Sequence, residues 1–266
     1  MMHETVLLPC KEAKLIPFYT DDEYGMKLAP RPCVIVCPGG GYGMLSDREA
    51  EPIAAQFLSA HFATFILRYS VGTDAKDFTP AKQVALAIKH VREHASDYNL
   101  NPDRIFTCGF SAGGHLAGSA GVFWNAPEVR AALGDAPEGI NRPNGMILCY
   151  PVITAGDHAH KGSFHKLCGS KEATQAEMDR FSLELHVDET TPPAFIWHTF
   201  NDGVVPIKNA LLMADALADV KVPFELHIYP DGPHGLALCN EQTRVLNPHC
   251  EGWVKLAVQW VKDFQA

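Results

Sequence analysis

Arg104-Ile105-Phe106-Thr107-Cys108 runs into Gly109-Phe110-Ser111-Ala112-Gly113 and on through Gly114-His115-Leu116-Ala117-Gly118. The first part reads as a short buried strand, and the last, rich in small residues, can open a helix. Between them stands a G-x-S-x-G pentapeptide. A strand turning sharply into a helix puts the serine at a tight, strained corner with its hydroxyl exposed. The glycines are expected there because a Cβ would strike the neighbouring strand and helix. The pentapeptide alone is common by chance, and the strand before it and helix after it are what give it meaning.

The same alternation extends outward. Short apolar, β-branched or aromatic runs at 31–37, 63–69, 105–109, 145–150, 194–199 and 225–229 predict strands. Most are almost continuously apolar, as strands covered on both faces are. Helical patterns fall between them, at 49–60, 80–94, 208–217 and 251–264. In the second, Val84, Ile88, Val91 and Ala95 recur at spacings of three and four, leaving Lys82, Lys89, Arg92 and Glu93 for solvent. Strand–helix alternation implies an α/β fold with a mostly parallel sheet and helices on both faces. Runs at 6–9 and 14–20 add an antiparallel edge. No repeat or linker interrupts the pattern, so residues 1–266 read as one domain, with an irregular insert at about 154–191 placed to cover part of a pocket.

Bulk properties narrow the functions available. The 266 residues suffice for one large core, and 47% apolar with 20% charged content is ordinary for a globular chain. A formal net charge of -9 argues against nucleic acid or an anionic membrane as partner. No stretch approaches the roughly 18 apolar residues of a membrane span. The first nine residues lack the basic and apolar regions of a signal peptide, so a cytoplasmic location is expected. The eight cysteines then read as reduced thiols. None falls in a C-x-x-C pair, so no metal site is expected.

In an open parallel sheet, ligands bind beyond the carboxyl ends of the strands. Ser111 follows the strand at 105–109, Asp202 the one at 194–199 and His234 the one at 225–229. All three should project to one edge. A serine hydroxyl needs a base within hydrogen-bond reach to become a nucleophile. Histidine serves near neutral pH, and a carboxylate on its other nitrogen fixes the tautomer and stabilises the imidazolium. An oxyanion needs donors as well. The backbone N–H of Ala112 is one, and the loop Cys37-Pro38-Gly39-Gly40-Gly41-Tyr42 after an early strand supplies others.

Together these pieces resemble the esterase/lipase type of the α/β-hydrolase superfamily, in the branch that includes small carbohydrate (xylan-type) acetyl esterases. The resemblance rests on Pro38-Gly39-Gly40-Gly41-Tyr42, Asn101-Pro102-Asp103-Arg104-Ile105 and the elbow through Ala117. Asp202-Gly203-Val204-Val205-Pro206 and His234-Gly235 complete it. Such esterases often carry His-Gly-Gly-Gly at the oxyanion loop, where this chain has Pro38. By position in that motif, Gly40 and Gly41 join Ala112 as oxyanion donors. The resemblance implies a serine ester hydrolase that needs no cofactor and removes short acyl groups, acetyl above all, from sugar esters. An acylated saccharide is the small-molecule partner expected. A homo-oligomer is compatible with the sequence.

Several residues compete for these roles. Asp157 also follows a strand and rivals Asp202. His198 and His227 lie inside strand runs and read as packed or surface side chains, unlike His234 in its glycine-bounded loop. His115 is expected to support the elbow by hydrogen bonding. His158, His160 and His165 lack metal-ligand spacing and read as a solvated insert. Glu49 and Glu51 read as first-turn acids favoured by the helix dipole, and Tyr42 and the insert as pocket walls. An arylformamidase-like amide hydrolase is the competing enzyme. A catalytically silent scaffold would require a disrupted Ser-Asp-His set, and the sequence shows no disruption.

Overall fold

Eight strands appear in the computed structural model, which describes residues 3–21 and 29–265. They are β1 (Val6–Leu7), β2 (Lys14–Phe18), β3 (Arg31–Cys37), β4 (Ala63–Arg68), β5 (Leu100–Phe110), β6 (Gly145–Cys149), β7 (Ala194–Thr199) and β8 (Phe224–Tyr229). They form one sheet in the order β1-β2-β4-β3-β5-β6-β7-β8. β1 and β2 make the antiparallel edge, and every pair from β4 to β8 is parallel. The α/β fold with a mostly parallel sheet is borne out.

The connections are α1 (Glu51–Ser59), α2 (Thr79–Glu93), α3 (Ala112–Val122), α4 (Pro127–Arg130), α5 (Lys161–Cys168), α6 (Gln175–Asp179), α7 (Lys208–Asp219), α8 (Pro248–Glu251) and α9 (Trp253–Asp263). The strand pleat sends alternate residues to opposite layers. Cys33, Ile35 and Cys37 of β3 pack in one core with Ile88 of α2, Leu116 of α3 and Leu217 of α7. Val34 and Val36 face the other core, with Phe57 of α1 and Trp253 and Val261 of α9. Helices on both faces leave no polar side to the central strands, which is why their sequences run apolar without alternation.

Two boundaries differ from expectation in ways that matter to the site. The helix expected from residue 49 begins at Glu51. A 3-10 turn, Asp47–Glu49, precedes it, and Ala50 breaks the helical path with φ -114° and ψ -103°. β5 begins at Leu100, five residues before the apolar run, because a register shift between Arg31 and Cys33 lets Leu100 pair with Arg31. The insert carries α5 and α6. Its entrance is fixed by the buried Asn209 of α7, whose Oδ1 accepts from the Ile153 and Thr154 amides and whose Nδ2 donates to the His158 carbonyl.

Candidate active site

At the end of β5 the chain turns through Ser111, which takes φ 55° and ψ -120°, a left-handed conformation rare for a residue with a side chain. The turn is possible because strand and helix touch through glycine. A Cβ at Gly109 would drive into the Gly113 carbonyl, and one at Gly113 into the carbonyls of Cys37 and Pro38. The Ser111 amide donates to the Cys149 carbonyl of β6 and its carbonyl accepts from Val152, so the corner is held from the neighbouring strand.

The carboxyl ends of β7 and β8 bring the partners. Ser111 Oγ lies 2.8 Å from His234 Nε2, and His234 Nδ1 lies 2.6 Å from Asp202 Oδ2. Asp202 is fixed on its other oxygen, where Oδ1 accepts from the amides of Val204 (2.8 Å) and Val205 (2.9 Å). Burial works to raise the Asp202 pKa. Hydrogen bonding from His198 and His234 more than reverses that and holds the carboxyl well below its usual range. With Asp202 ionised, Nδ1 of His234 carries the proton and Nε2 is left to accept one from Ser111.

The competitors lie elsewhere. Asp157 is exposed on the insert, and His227 pairs with Glu225 along β8 at 2.6 Å. His198 is buried and donates from Nε2 to the Val205 carbonyl, with Asp202 Oδ2 at 3.4 Å. It therefore braces the turn that carries Asp202. His160 borders the cleft, with Nδ1 2.9 Å from Ser163 Oγ. Among the described residues, no group of three or more His, Cys, Asp or Glu side chains could hold a metal ion.

The amides of Gly40, Gly41 and Ala112 have no acceptor among the described residues, and Gly40 and Gly41 line the same open cleft of about 600 Å³ as Ser111 and His234. Gly39 differs, because its N–H donates to Glu49 Oε2 at 3.0 Å. Glu49 Oε1 accepts from Tyr150 Oη at 2.7 Å, and Tyr150 Oη accepts from the Ala237 amide at 2.9 Å. One buried carboxylate thus ties the glycine loop to β6 and to the segment that carries His234. Glu49 is not the first-turn acid expected of it. The 3-10 turn and the break at Ala50 rotate it inward, while Glu51 alone begins the helix and pairs with Arg68 at 2.8 Å.

Tyr42 requires a correction. The sequence places it in the pocket wall as a substrate contact. Its φ of 56° turns the side chain into the core, where it is 1% exposed and its hydroxyl donates to His115 Nδ1 at 2.8 Å. His115 Nε2 in turn donates to the Phe181 carbonyl at 2.7 Å, so His115 links the glycine loop, α3 and the insert.

Burial lowers the His115 pKa from 6.5 to about 4, against the opposing pull of the Phe181 carbonyl. Since the folded pKa lies below the unfolded one, the unfolded chain takes up the proton first. Stability therefore rises with pH between about 4 and 6.5 and is lost as pH falls through that window. We expect His115→Gln to be less stable than wild type at pH 7. From pH 7 to 4.5, however, it should lose roughly 2 kcal/mol less, by denaturant midpoints. Equal acid losses would mean that His115 does not titrate as its burial requires.

The strand order, the strained serine corner and the Ser111–His234–Asp202 geometry define an esterase-type α/β-hydrolase. Residues 24–217 match the BD-FAE family, and the chain belongs to it. Among its relatives, endo-1,4-beta-xylanase B of Butyrivibrio fibrisolvens is 38% identical over 220 residues, 80% of this chain and 33% of that protein. The acetylxylan esterase of Xylanibacter ruminicola is 31% identical over 208 residues, 76% of this chain and 40% of that one. The chain thus spans well under half the length of these two curated relatives. The crystal structure of an acetyl ester-xyloside bifunctional hydrolase from Caldicellulosiruptor lactoaceticus is similar with a TM-score of 0.81 at 36% identity, over 94% of this chain and 88% of that one. No helix among the described residues is long and apolar enough to cross a membrane.

Proposed function

We propose that this protein is a carboxylic ester hydrolase that removes short acyl groups, chiefly acetyl, from sugar or xylo-oligosaccharide esters. The observation that carries the proposal is the unbroken relay from Ser111 Oγ through His234 to Asp202, opening on the cleft that Gly40 and Gly41 line. Ser111 Oγ attacks the ester carbonyl while its proton passes to His234 Nε2. The carbonyl oxygen becomes an oxyanion beside the amides of Gly40, Gly41 and Ala112. Loss of one such donor typically costs about 10²–10³ in rate. The intermediate collapses as His234 returns the proton to the departing alcohol oxygen, leaving an acyl-serine. A water then gives its proton to His234 and attacks the acyl carbon, releasing the carboxylic acid and restoring Ser111.

The substrate class is supported by the two xylan-related relatives and by the acetyl ester-xyloside hydrolase structure. A cytoplasmic location belongs to the same proposal.

The test is acetate release from acetylated xylo-oligosaccharides, with p-nitrophenyl acetate and an aryl formamide in parallel. Acetate release at a kcat/KM above about 10⁴ M⁻¹s⁻¹ is expected, in the range of competent enzymes. Turnover of the activated ester alone would discard the sugar, and faster turnover of the formamide would make the protein an amide hydrolase. Failure of a fluorophosphonate to label Ser111 would make it a silent scaffold.

A further inference from the structure

Arg48 lies in the wall of the cleft that holds Ser111 and His234, and its side chain is exposed to it. Among the described residues it makes no hydrogen bond and no ion pair. The neighbouring acids are already engaged. Asp47 pairs with Arg68 at 2.8 Å, Glu51 with the other arm of the same guanidinium at 2.8 Å, and Glu49 holds Gly39 and Tyr150. A guanidinium with no protein partner among the described residues therefore stands at the mouth of the site.

The backbone makes room for it there. Gly235 follows His234 with φ +80°, and a Cβ on it would collide with the Arg48 guanidinium, whose Cζ would lie 3.3 Å away. The guanidinium is thus seated against the residue next to the candidate base, in the cleft that His160 also lines. A guanidinium presents a rigid planar fork suited to two parallel hydrogen bonds with a carboxylate, and it is more weakly hydrated than an ammonium.

We propose that Arg48 is a specificity-determining residue that binds a carboxylate carried by the substrate, so that anionic esters are preferred to matched neutral ones. This rests on the reading of the Ser111 site as an ester hydrolase. The carboxylate can belong to the alcohol portion, as in an acetylated uronic acid, or to the far end of the acyl chain. Arg68 holds Asp47 in an ion pair and so offsets part of the repulsion an incoming carboxylate would meet.

The experiment compares kcat/KM within matched pairs that differ by one charge. One pair is an acetylated methyl glucuronoside and its uncharged methyl ester. The other is p-nitrophenyl hemisuccinate and p-nitrophenyl butyrate. The contact is charge-assisted and bidentate but sits in an open cleft, so the wild type should prefer the anionic member of one pair by roughly 3- to 10-fold. The pair that shows the preference identifies which portion bears the carboxylate. In Arg48→Gln that ratio should fall to near one, and in Arg48→Lys it should fall part of the way. The wild-type preference should also shrink as salt rises, because an exposed charge is screened. A wild-type ratio near one in both pairs would overturn the proposal, as would an unchanged ratio in Arg48→Gln. If the wild type turns over p-nitrophenyl acetate but neither pair, this inference falls alone; if it turns over no ester, the ester reading fails and this inference with it.

Discussion

Ser111→Ala is expected to lower kcat for ester hydrolysis by about 10⁴–10⁶, the range seen when a serine nucleophile is removed from such a relay. What survives would come from the oxyanion amides and substrate binding. KM should change little, because the methyl group leaves the cleft and its amides in place. The same residue makes a second, opposite prediction for stability. Ser111 sits at φ 55°, which costs of order 1–3 kcal/mol for a residue with a Cβ. Ala inherits that strain and Gly does not. Ser111→Gly should therefore be as inactive as Ser111→Ala but more stable, by about 1 kcal/mol in denaturant midpoint after allowing for the entropy glycine adds to the unfolded chain. Activity within tenfold of wild type in either variant would remove Ser111 from the chemistry.

The elbow was legible because its requirements are local. A strand, a left-handed corner and a helix start must follow one another within about ten residues, and glycine is the only residue that fits where Gly109 meets Gly113. Asp202 and His234 were legible for a topological reason: in a parallel sheet the residues that follow strands gather at one edge. Side-chain direction was not. Tyr42 lies in the expected loop, but its positive φ, invisible in the sequence, decides that it packs on His115 rather than facing substrate.

Glu49 was misread for a related reason. Its residue type and position suit a helix N-terminus, and only the break at Ala50 turns it into the buried acceptor for Gly39 and Tyr150. The available signal was chemical: a carboxylate beside a three-glycine loop with unmatched amides. Asn209 gave no such sign, since Ile153 and Thr154 lie more than fifty residues away, and His198 gave none because it bonds to a backbone carbonyl, Val205, that only the folded turn presents. The 3.6-residue period of α7 predicts which face of the helix is buried, but not that a polar residue on that face will anchor the insert.

Asp202→Asn tests the relay more sharply than removal of the carboxylate would, because the backbone dictates how the amide must sit. The amides of Val204 and Val205 both point at the Oδ1 position, at 2.8 and 2.9 Å. An asparagine there must place its oxygen on those two donors, which turns its NH₂ toward His234 Nδ1. A donor facing Nδ1 forces the imidazole into the tautomer with its proton on Nε2. His234 would then donate to Ser111 Oγ instead of accepting from it, and proton removal from the serine would be blocked at neutral pH. A loss of about 10⁴ in kcat is expected, with fluorophosphonate labelling of Ser111 slowed in parallel because that reaction needs the same proton transfer. Since Asn matches Asp in shape and keeps the Val204 and Val205 contacts, the fold should survive, which circular dichroism and the melting transition would check. Asp202→Ala should be less informative, since an emptied site admits water that can accept from Nδ1 and restore the working tautomer. If Asp202→Asn instead retained more than a tenth of wild-type kcat, the proton would have to leave Ser111 by another route. His160, which also lines the cleft and has Ser163 at Nδ1, would then be the group to replace next.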